Sequence, residues 1–348
     1  MKLRSAALIL IVSFFPEPSR CIAAPNYHVV GWFNTFVPGG GEMLLGHPFY
    51  GAFQAGAEIS TFMIGYNRSG RSPMTIDGVP ESLPQPAAAG TVVLTSTKYK
   101  CIVWNNVTHK CTSWKKITTS TTSAVDDNTP QDLSTALYDD WLQEFGLKYH
   151  FVNVFNAYRA AAKGGGVIDN QKIDQSSTAA LFLAPFSPKN IFDPVFGIAI
   201  VASAAAMIYS YNDLIKTGGI APVAPFTQKT KDLYNATYLG VYPVGSAAPE
   251  EMFYRGFLQH EFYAMTRTPF LSVPLSTAAY AFSHSPDERA SAAVSGLFLG
   301  ILTHADRGSL SRAITYHFWA NVLAGLYQIS VVRKGQGGVP LVDLSFHF

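Results

Sequence analysis

Charged residues are scarce in this chain of 348 residues. Aspartate, glutamate, lysine and arginine make up 14% of it, against about 25% in ordinary soluble domains. Hydrophobic residues make up 48%, and the formal net charge is only +2. No basic run with interleaved aromatic residues is present, so the sequence excludes a nucleic-acid partner. The shortage of charge and the positive mean hydropathy favour an integral membrane protein instead.

Two common signatures of catalysis are also missing. The glycines at positions 39 to 41 are not followed by the lysine and the serine or threonine of a phosphate-binding loop. No H-E-x-x-H motif supplies two zinc ligands from one helix. The chain has only three cysteines, and no second Cys/His pair with zinc-binding spacing lies near Cys101 and Cys111.

The first 24 residues have the pattern of a signal peptide. A basic start precedes an apolar run from Ala6 to Phe15, which is too short to span a bilayer. Cleavage is predicted after Ala24, with an uncleaved anchor as the alternative. Cys101 and Cys111 then remain, on two β-prone runs around an Asn-Asn turn signal. A disulfide between them is predicted for an exported protein, with two free thiols as the alternative.

The rest of the chain divides into four predicted segments. Residues 25–71 form a glycine-rich, membrane-associated segment, in which a membrane or re-entrant helix from His47 to Tyr66 buries Glu58. Residues 72–191 form an extramembrane insertion that contains the hairpin and a helix from Pro130 to Ala162. Residues 192–332 form a helical membrane core. Residues 333–348 end in a tail strand, because apolar and polar residues alternate there.

The core is predicted to hold five hydrophobic spans. Several are short or interrupted by proline and polar residues, and such helices survive where they face a protein-lined, water-accessible cavity. The predicted fold class is therefore mainly α: a polytopic helical membrane protein with an extramembrane insertion that contains a short β-hairpin. The predicted spans are Phe192–Tyr211, Tyr234–Tyr263, Leu271–His284, Ser291–Thr303 and Ile314–Val332.

Three polar clusters interrupt these apolar segments. The first holds Glu250, Glu251 and Arg255. Ionisable residues at bilayer depth cost at least a few kcal/mol, and they are usually functional. On a helix, Glu251 and Arg255 share one face and are predicted to pair, whereas Glu250 lies about 100° away and is left free. The other two clusters run from Tyr280 to His284 and from His317 to Asn321.

The order E-E-x-x-x-R, Y-x-x-x-H and H-x-x-x-N on successive apolar segments resembles the CPBP intramembrane proteases. These include the CAAX prenyl endopeptidases and the Abi bacteriocin-processing or immunity proteins. The resemblance covers roughly Tyr234 to Val332 and does not extend to the first two-thirds of the chain. One departure is that Tyr280 stands where the family usually has phenylalanine. The resemblance implies a CPBP-type helical core and an endopeptidase that works within the membrane.

Seven residues receive roles through this resemblance. Glu250 would take a proton from the attacking water. His284 would share that task or hold the water. His317 and Asn321, which lie on one helical face, would donate hydrogen bonds to the oxyanion. The remaining three would fix the structure of the site. The catalytic residues are therefore Glu250, His284, His317 and Asn321, and the structural residues are Glu251, Arg255 and Tyr280.

Three alternatives remain open on the sequence. Hydrolysis without a metal is predicted, but Glu250, His284 and His317 are also acceptable zinc ligands. A non-enzymatic immunity or scaffold protein of the same fold is the alternative to a protease. One expected partner is a substrate, which is a membrane-associated or exported peptide or protein. The other expected partner is membrane lipid. The predicted location is the bacterial inner membrane, multi-pass with an exported insertion; the alternative is an outer-membrane or periplasm-associated protein.

Overall fold

Helices form most of the described chain, as the sequence predicts. The computed structural model describes residues 26–69, 85–86, 91–105, 110–124, 133–163, 167–217, 228–286 and 288–335. The predicted signal peptide lies outside these residues. The predicted tail strand also lies outside them, except for residues 333–335, which continue the last helix. The start of that strand was therefore placed too early.

Three helices come first and are followed by a small sheet. The helices are α1 (Tyr27–Phe36), α2 (Gly40–Leu44) and α3 (Pro48–Ser69). The sheet is antiparallel, in the order β1 (Gln85–Pro86), β2 (Thr91–Asn105) and β3 (Lys110–Ala124). The predicted hairpin is confirmed, with strands of 15 residues each. Its register places Cys101 opposite Trp114 and Cys111 opposite Trp104. The two cysteines are thus not directly opposed, and their disulfide stays a prediction.

The middle of the chain begins with the long helix α4 (Leu133–Ala161). A two-stranded hairpin follows, formed by β4 (Val167–Ile168) and β5 (Gln171–Lys172). Helix α5 (Thr178–Leu183), a 3₁₀ turn and helix α6 (Pro188–Ile191) then lead to helix α7 (Pro194–Lys216).

The last part contains one composite helix and three further helices. The composite helix joins α8 (Gln228–Ala236), a π-helical stretch (Thr237–Val241), α9 (Tyr242–Glu251), a second π-helical stretch (Met252–Gln259) and α10 (His260–Thr266). Helices α11 (Pro269–Phe282), α12 (Arg289–Ala305) and α13 (Ser311–Gly335) follow. Thr268 caps α11, because its side chain accepts a hydrogen bond from the Phe270 N–H.

The main hydrophobic core lies between α4 and the second π-helical stretch. Phe151 of α4 stacks on Phe253, with ring centroids 4.3 Å apart, and Tyr158 packs edge-on against Phe257 at 5.0 Å. Phe155 is fully buried between them in the same cluster. The spacing of the three α4 residues places them on one helical face, which explains why α4 turns this side inward. The sequence prediction placed this helix in an extramembrane insertion. That placement stays a prediction, and the helix packs into the same hydrophobic core as the later helices.

Close backbone approaches fix two of the helix contacts. A side chain at Gly325 of α13 would collide with the carbonyl oxygen of Tyr238, so glycine lets α13 lie against the composite helix. Gly308 has φ +92°, a backbone conformation that favours glycine. A side chain at this position would also collide with the carbonyl oxygen of Lys172. The Lys172 N–H also donates to the Arg307 carbonyl at 2.9 Å. The β4–β5 hairpin is thereby attached to the α12–α13 connection.

One described helix, α7, is long and apolar enough to cross a membrane, with a mean hydropathy of 1.6 over its best window. None of its residues is buried by the rest of the described chain. It packs beside α13, and the Ser203 Oγ lies 2.8 Å from the Tyr316 hydroxyl. This helix agrees with the predicted first span. A multi-pass arrangement stays a prediction.

The Asp193 carboxylate caps the N-terminus of α7 and binds Arg312. The Asp193 Oδ1 accepts hydrogen bonds from the Val195 N–H at 2.9 Å and from Arg312 at 3.0 Å. Partial burial raises the pKa of Asp193, but the hydrogen bonds from the Phe196 N–H and from Arg312 outweigh it and hold the pKa below its ordinary value of 3.8. The charged carboxylate therefore stabilises the fold above that pH, and this contribution is lost as the pH falls below it.

We expect Asp193→Asn to lower the melting temperature in detergent at neutral pH, because asparagine keeps the cap but removes the charge. The difference from wild type should shrink as the pH falls below about 4. Asp213→Asn, an exposed carboxylate near the other end of α7, is the matched control and should cause no loss. A difference that is the same at all pH values would contradict the role of the charge.

Candidate active site

The acidic pair lies at the end of α9, where the helix changes to π-helical geometry. Glu250 is 5% exposed, Glu251 is fully buried and Arg255 is 2% exposed. Pro249 precedes the pair inside the helix, and a proline has no N–H with which to continue the helical hydrogen bonds. Stretches of π-helix are rare and frequently occur at functional sites. The two carboxylates therefore lie between a helix position without an N–H donor and the start of the π-helical stretch.

Glu251 joins the first and third motifs. Its Oε1 lies 2.8 Å from the His317 Nδ1 and 3.3 Å from the Arg255 Nη1. The sequence predicted the contact with Arg255 from the helical spacing. The contact with His317 comes from the packing of α13 against α9. Because a carboxylate oxygen accepts hydrogen bonds, the His317 Nδ1 carries the hydrogen, which leaves Nε2 as the other available ring nitrogen.

Arg255 is held on three sides. Its Nη2 donates to the Gly296 carbonyl of α12 at 3.1 Å, and its guanidinium carbon lies 4.4 Å from the centre of the Tyr280 ring. The 3.3 Å contact with Glu251 lacks hydrogen-bond geometry, so it is an ion pair by proximity. Tyr280 is buried and fills the position of the expected phenylalanine. An aromatic ring there supplies a cation–π contact, which either residue type can provide.

The sequence interpretation left Glu250 without a partner, but in the structure its carboxylate is bound. Its Oε1 accepts a hydrogen bond from the Lys148 Nζ at 2.7 Å. Its Oε2 lies 3.7 Å from the His317 Nε2 and has no hydrogen-bond partner among the described residues. One oxygen is thus fixed by Lys148, while the other faces His317.

His284 and Asn321 lie at the edge of this centre. His284 follows the end of α11, and its Nδ1 lies 2.8 Å from the Tyr280 carbonyl. It is partly exposed and close enough to act electrostatically on Glu250. Asn321 is one helical turn beyond His317, and its Nδ2 donates to the Ser246 Oγ at 2.9 Å. That contact leaves Asn321 one further amide N–H, because the side chain carries two.

Lys148 is the residue of this centre that the sequence did not reveal. It lies in α4, 102 positions before Glu250, and it is only 16% exposed. A second carboxylate, Glu144, lies 3.3 Å from its Nζ. A lysine four residues after a glutamate on a helix usually indicates a solvated surface pair. Nothing in the local pattern distinguishes Lys148 from such a pair.

The zinc alternative stays a prediction, although the described side chains do not form a ready metal site. No group of three or more histidine, cysteine, aspartate or glutamate residues there is placed to hold a metal ion. Lys148 binds one oxygen of Glu250, and the Tyr280 carbonyl engages the His284 Nδ1, so a metal would have to use the other oxygen and the other ring nitrogen.

Glu58 belongs to a separate buried cluster on α3 and α4. Its oxygens lie 2.8 Å from the His150 Nδ1 and 2.5 Å from the Asn153 Nδ2. Gln54 donates to Asn153 at 3.1 Å. These bonds connect the two helices, so the prediction that Glu58 is buried is confirmed, and its contacts hold the helices together.

The fold and the centre together define a mainly helical protein in which carboxylate, arginine and histidine side chains meet in a buried site. The comparison with protein families is more specific. Residues 233–323 match the model of the type II CAAX prenyl endopeptidase Rce1-like family. The predicted resemblance of the C-terminal third to the CPBP proteases is thus confirmed, and the match points to a protease that is embedded in a membrane. No curated protein and no solved structure matches the chain.

The ion pair within the site leads to a prediction about folding. Arg255→Ala should lower the free energy of unfolding by about 3–5 kcal/mol, because it leaves the Glu251 carboxylate buried without its cation. Thermal or denaturant unfolding in detergent measures this loss. Lys334→Ala removes an exposed cation of α13 and serves as the control. Equal stability of the two variants would contradict a buried pair.

Proposed function

We propose that this protein is an intramembrane endopeptidase that hydrolyses peptide bonds with a water molecule held by Glu250 and His317. One observation carries this proposal: the unpartnered Glu250 Oε2 and the His317 Nε2 lie 3.7 Å apart in a buried site. A water about 2.8 Å from both atoms would form a compact triangle with them. The sequence match to a prenyl endopeptidase family supports the same reaction class.

The hydrogen bond to Glu251 sets the role of His317. Because its Nδ1–H is donated to Glu251, the Nε2 of the neutral ring is an acceptor. The water then donates one hydrogen bond to Glu250 and one to His317, and its oxygen lone pair points away from both. The sequence interpretation made His317 an oxyanion donor, and that role stays untested; in this tautomer we propose that the ring holds the water. Donation to an oxyanion would require a second proton on the ring.

The reaction balances with these groups. Glu250 takes one proton as the water oxygen attacks the carbonyl carbon, and the C–N bond breaks when that proton passes to the departing amine. One water is consumed, and a carboxylic acid and an amine are produced. The remaining amide N–H of Asn321 is the proposed donor to the oxyanion, and His284 is the proposed second donor when protonated. No step passes through a metal.

Lys148 is the proposed positioning residue for Glu250. Its short contact with Oε1 fixes the carboxylate so that Oε2 faces His317. Its charge also compensates that of a buried carboxylate, which is costly to leave unpaired. This residue lies outside the matched region 233–323, so the region before the match contributes to the site.

The proposed substrate is a peptide or protein segment at the membrane. We place the protein in the bacterial inner membrane with several spans, because apolar segments surround the site. The predicted signal peptide favours export of the insertion. Prenylated chains do not occur on the side of the bacterial membrane to which it would be exported. A CAAX substrate is therefore not proposed, although the matched family takes its name from one.

Glu250→Gln should abolish proteolysis while the protein stays folded, because glutamine keeps the shape but cannot accept the proton. We expect a loss of at least about 100-fold, measured by mass spectrometry of peptides released from membranes that carry each variant. Glu288→Gln, an exposed carboxylate, is the control, and a metal chelator should leave the wild-type products unchanged. Identical peptides from wild type and Glu250→Gln would favour the non-enzymatic alternative.

The Lys148–Glu250 pair is testable by its coupling. Lys148→Met should destabilise the protein by about 3–5 kcal/mol, because it leaves the Glu250 charge buried and unpaired. The double variant Lys148→Met/Glu250→Gln should recover most of that stability, since no unpaired charge remains. Unfolding curves of the wild type, both single variants and the double variant measure the coupling. Additive losses would show that Lys148 does not compensate Glu250.

A further inference from the structure

A second polar pocket lies on the other side of Arg255, between α10, α11, α12 and the β4–β5 hairpin. We call it the Arg255 pocket. Its inner wall is formed by Arg255, Gln259, Ser272 and Thr303, and Lys172 and His304 lie at its mouth. The four inner residues are at most 5% exposed, whereas Lys172 is exposed and His304 partly so. The cavity volume open to the centre of a water-sized molecule is about 10 Å³, which is room for about one water.

The inner wall carries polar atoms that have no hydrogen-bond partner in the described part of the chain. They are the Gln259 Oε1, the Ser272 Oγ and the Thr303 Oγ1. Gln259 is not loosely placed, because its Nε2 donates to the Gly300 carbonyl at 3.0 Å. Buried polar groups without partners are costly, and native proteins usually satisfy them with protein groups or with ordered water. Three such atoms on one pocket wall point to a ligand in the pocket.

Arg255 connects this pocket to the catalytic centre. Its Nη1 faces Glu251, while its Nε also has no hydrogen-bond partner among the described residues. The guanidinium has five donors, and among the described residues only the Gly296 carbonyl accepts a hydrogen bond from it. The remaining donors of a buried cation need an acceptor.

The mixture of donors and acceptors selects the ligand. An anion would suit Arg255 but would be repelled by the Gln259 oxygen, and an apolar group would satisfy none of these atoms. Water both donates and accepts, and an internal water typically makes about three hydrogen bonds. We propose that the Arg255 pocket is a water-binding site, filled from the mouth at Lys172 and His304. Its water hydrates Arg255 on the side away from Glu251. This site does not depend on the proposed proteolysis.

Two serines of α11 make a matched test of water access. Ser272 lies in the pocket without a protein partner, whereas Ser276, one turn later, is fully buried and donates to the Tyr254 carbonyl at 2.7 Å. Ser272→Cys and Ser276→Cys are each treated with dilute hydrogen peroxide, which is uncharged and close to water in size, in detergent with wild type as the background, and oxidation of the thiol is followed by mass spectrometry. Thiols react as thiolates, which need water, so Ser272→Cys should react at least about tenfold faster. A smaller ratio overturns the proposal.

The sign of a stability change gives a second test. Thr303→Val replaces a hydroxyl by a methyl group of similar size. If water binds the hydroxyl, this change removes a hydrogen bond and lowers the melting temperature. If the pocket is dry, the change removes an unsatisfied polar group and raises it. The proposal requires a lower melting temperature, and an equal or higher one overturns it. Size-exclusion chromatography confirms that each variant is folded before it is compared.

Discussion

The Glu251 carboxylate is the point on which the arrangement of the site depends. A single oxygen receives both the Arg255 guanidinium and the His317 ring. Burial of a lone carboxylate costs several kcal/mol. Glu251 is therefore stable in the core only when Arg255 and His317 are packed against it. Arg255 in turn binds the backbone of α12 through Gly296. The charge of Glu251 therefore couples three elements: the composite helix, α12 and α13. Each of them helps to fix the position of the other two.

Local spacing made part of this centre predictable. Glu251 and Arg255 are four residues apart, and helical geometry alone predicts that they meet. The apolar runs likewise predicted where α7 and the helices after it lie. Lys148 was not predictable in this way, because its contact with Glu250 joins positions 102 residues apart. Such contacts follow from the packing of whole helices, and no periodicity in the sequence reports them.

The domain boundaries predicted from composition stay untested, but they do not coincide with the limits of the hydrophobic core. Helix α4 has polar residues along its length, and the sequence interpretation placed it with the extramembrane insertion. Its aromatic face nevertheless packs against Phe253 and Phe257, inside the region that matches the protease family. A helix can present polar residues to solvent and still contribute one essential face to a core. The family match thus marks the shared motifs, and the folded core extends beyond it.

The π-helical stretch Met252–Gln259 has a consequence for how this segment tolerates changes in length. Its hydrogen bonds span five residues instead of four, so the stretch holds more residues than an α-helix of the same length. Loss of a single residue here would return the segment to α-helical geometry without breaking the helix. The side chains beyond the stretch would then keep their present faces, and only those within it, including Arg255 and Gln259, would turn. In this segment the number of residues, as well as their identity, specifies the site.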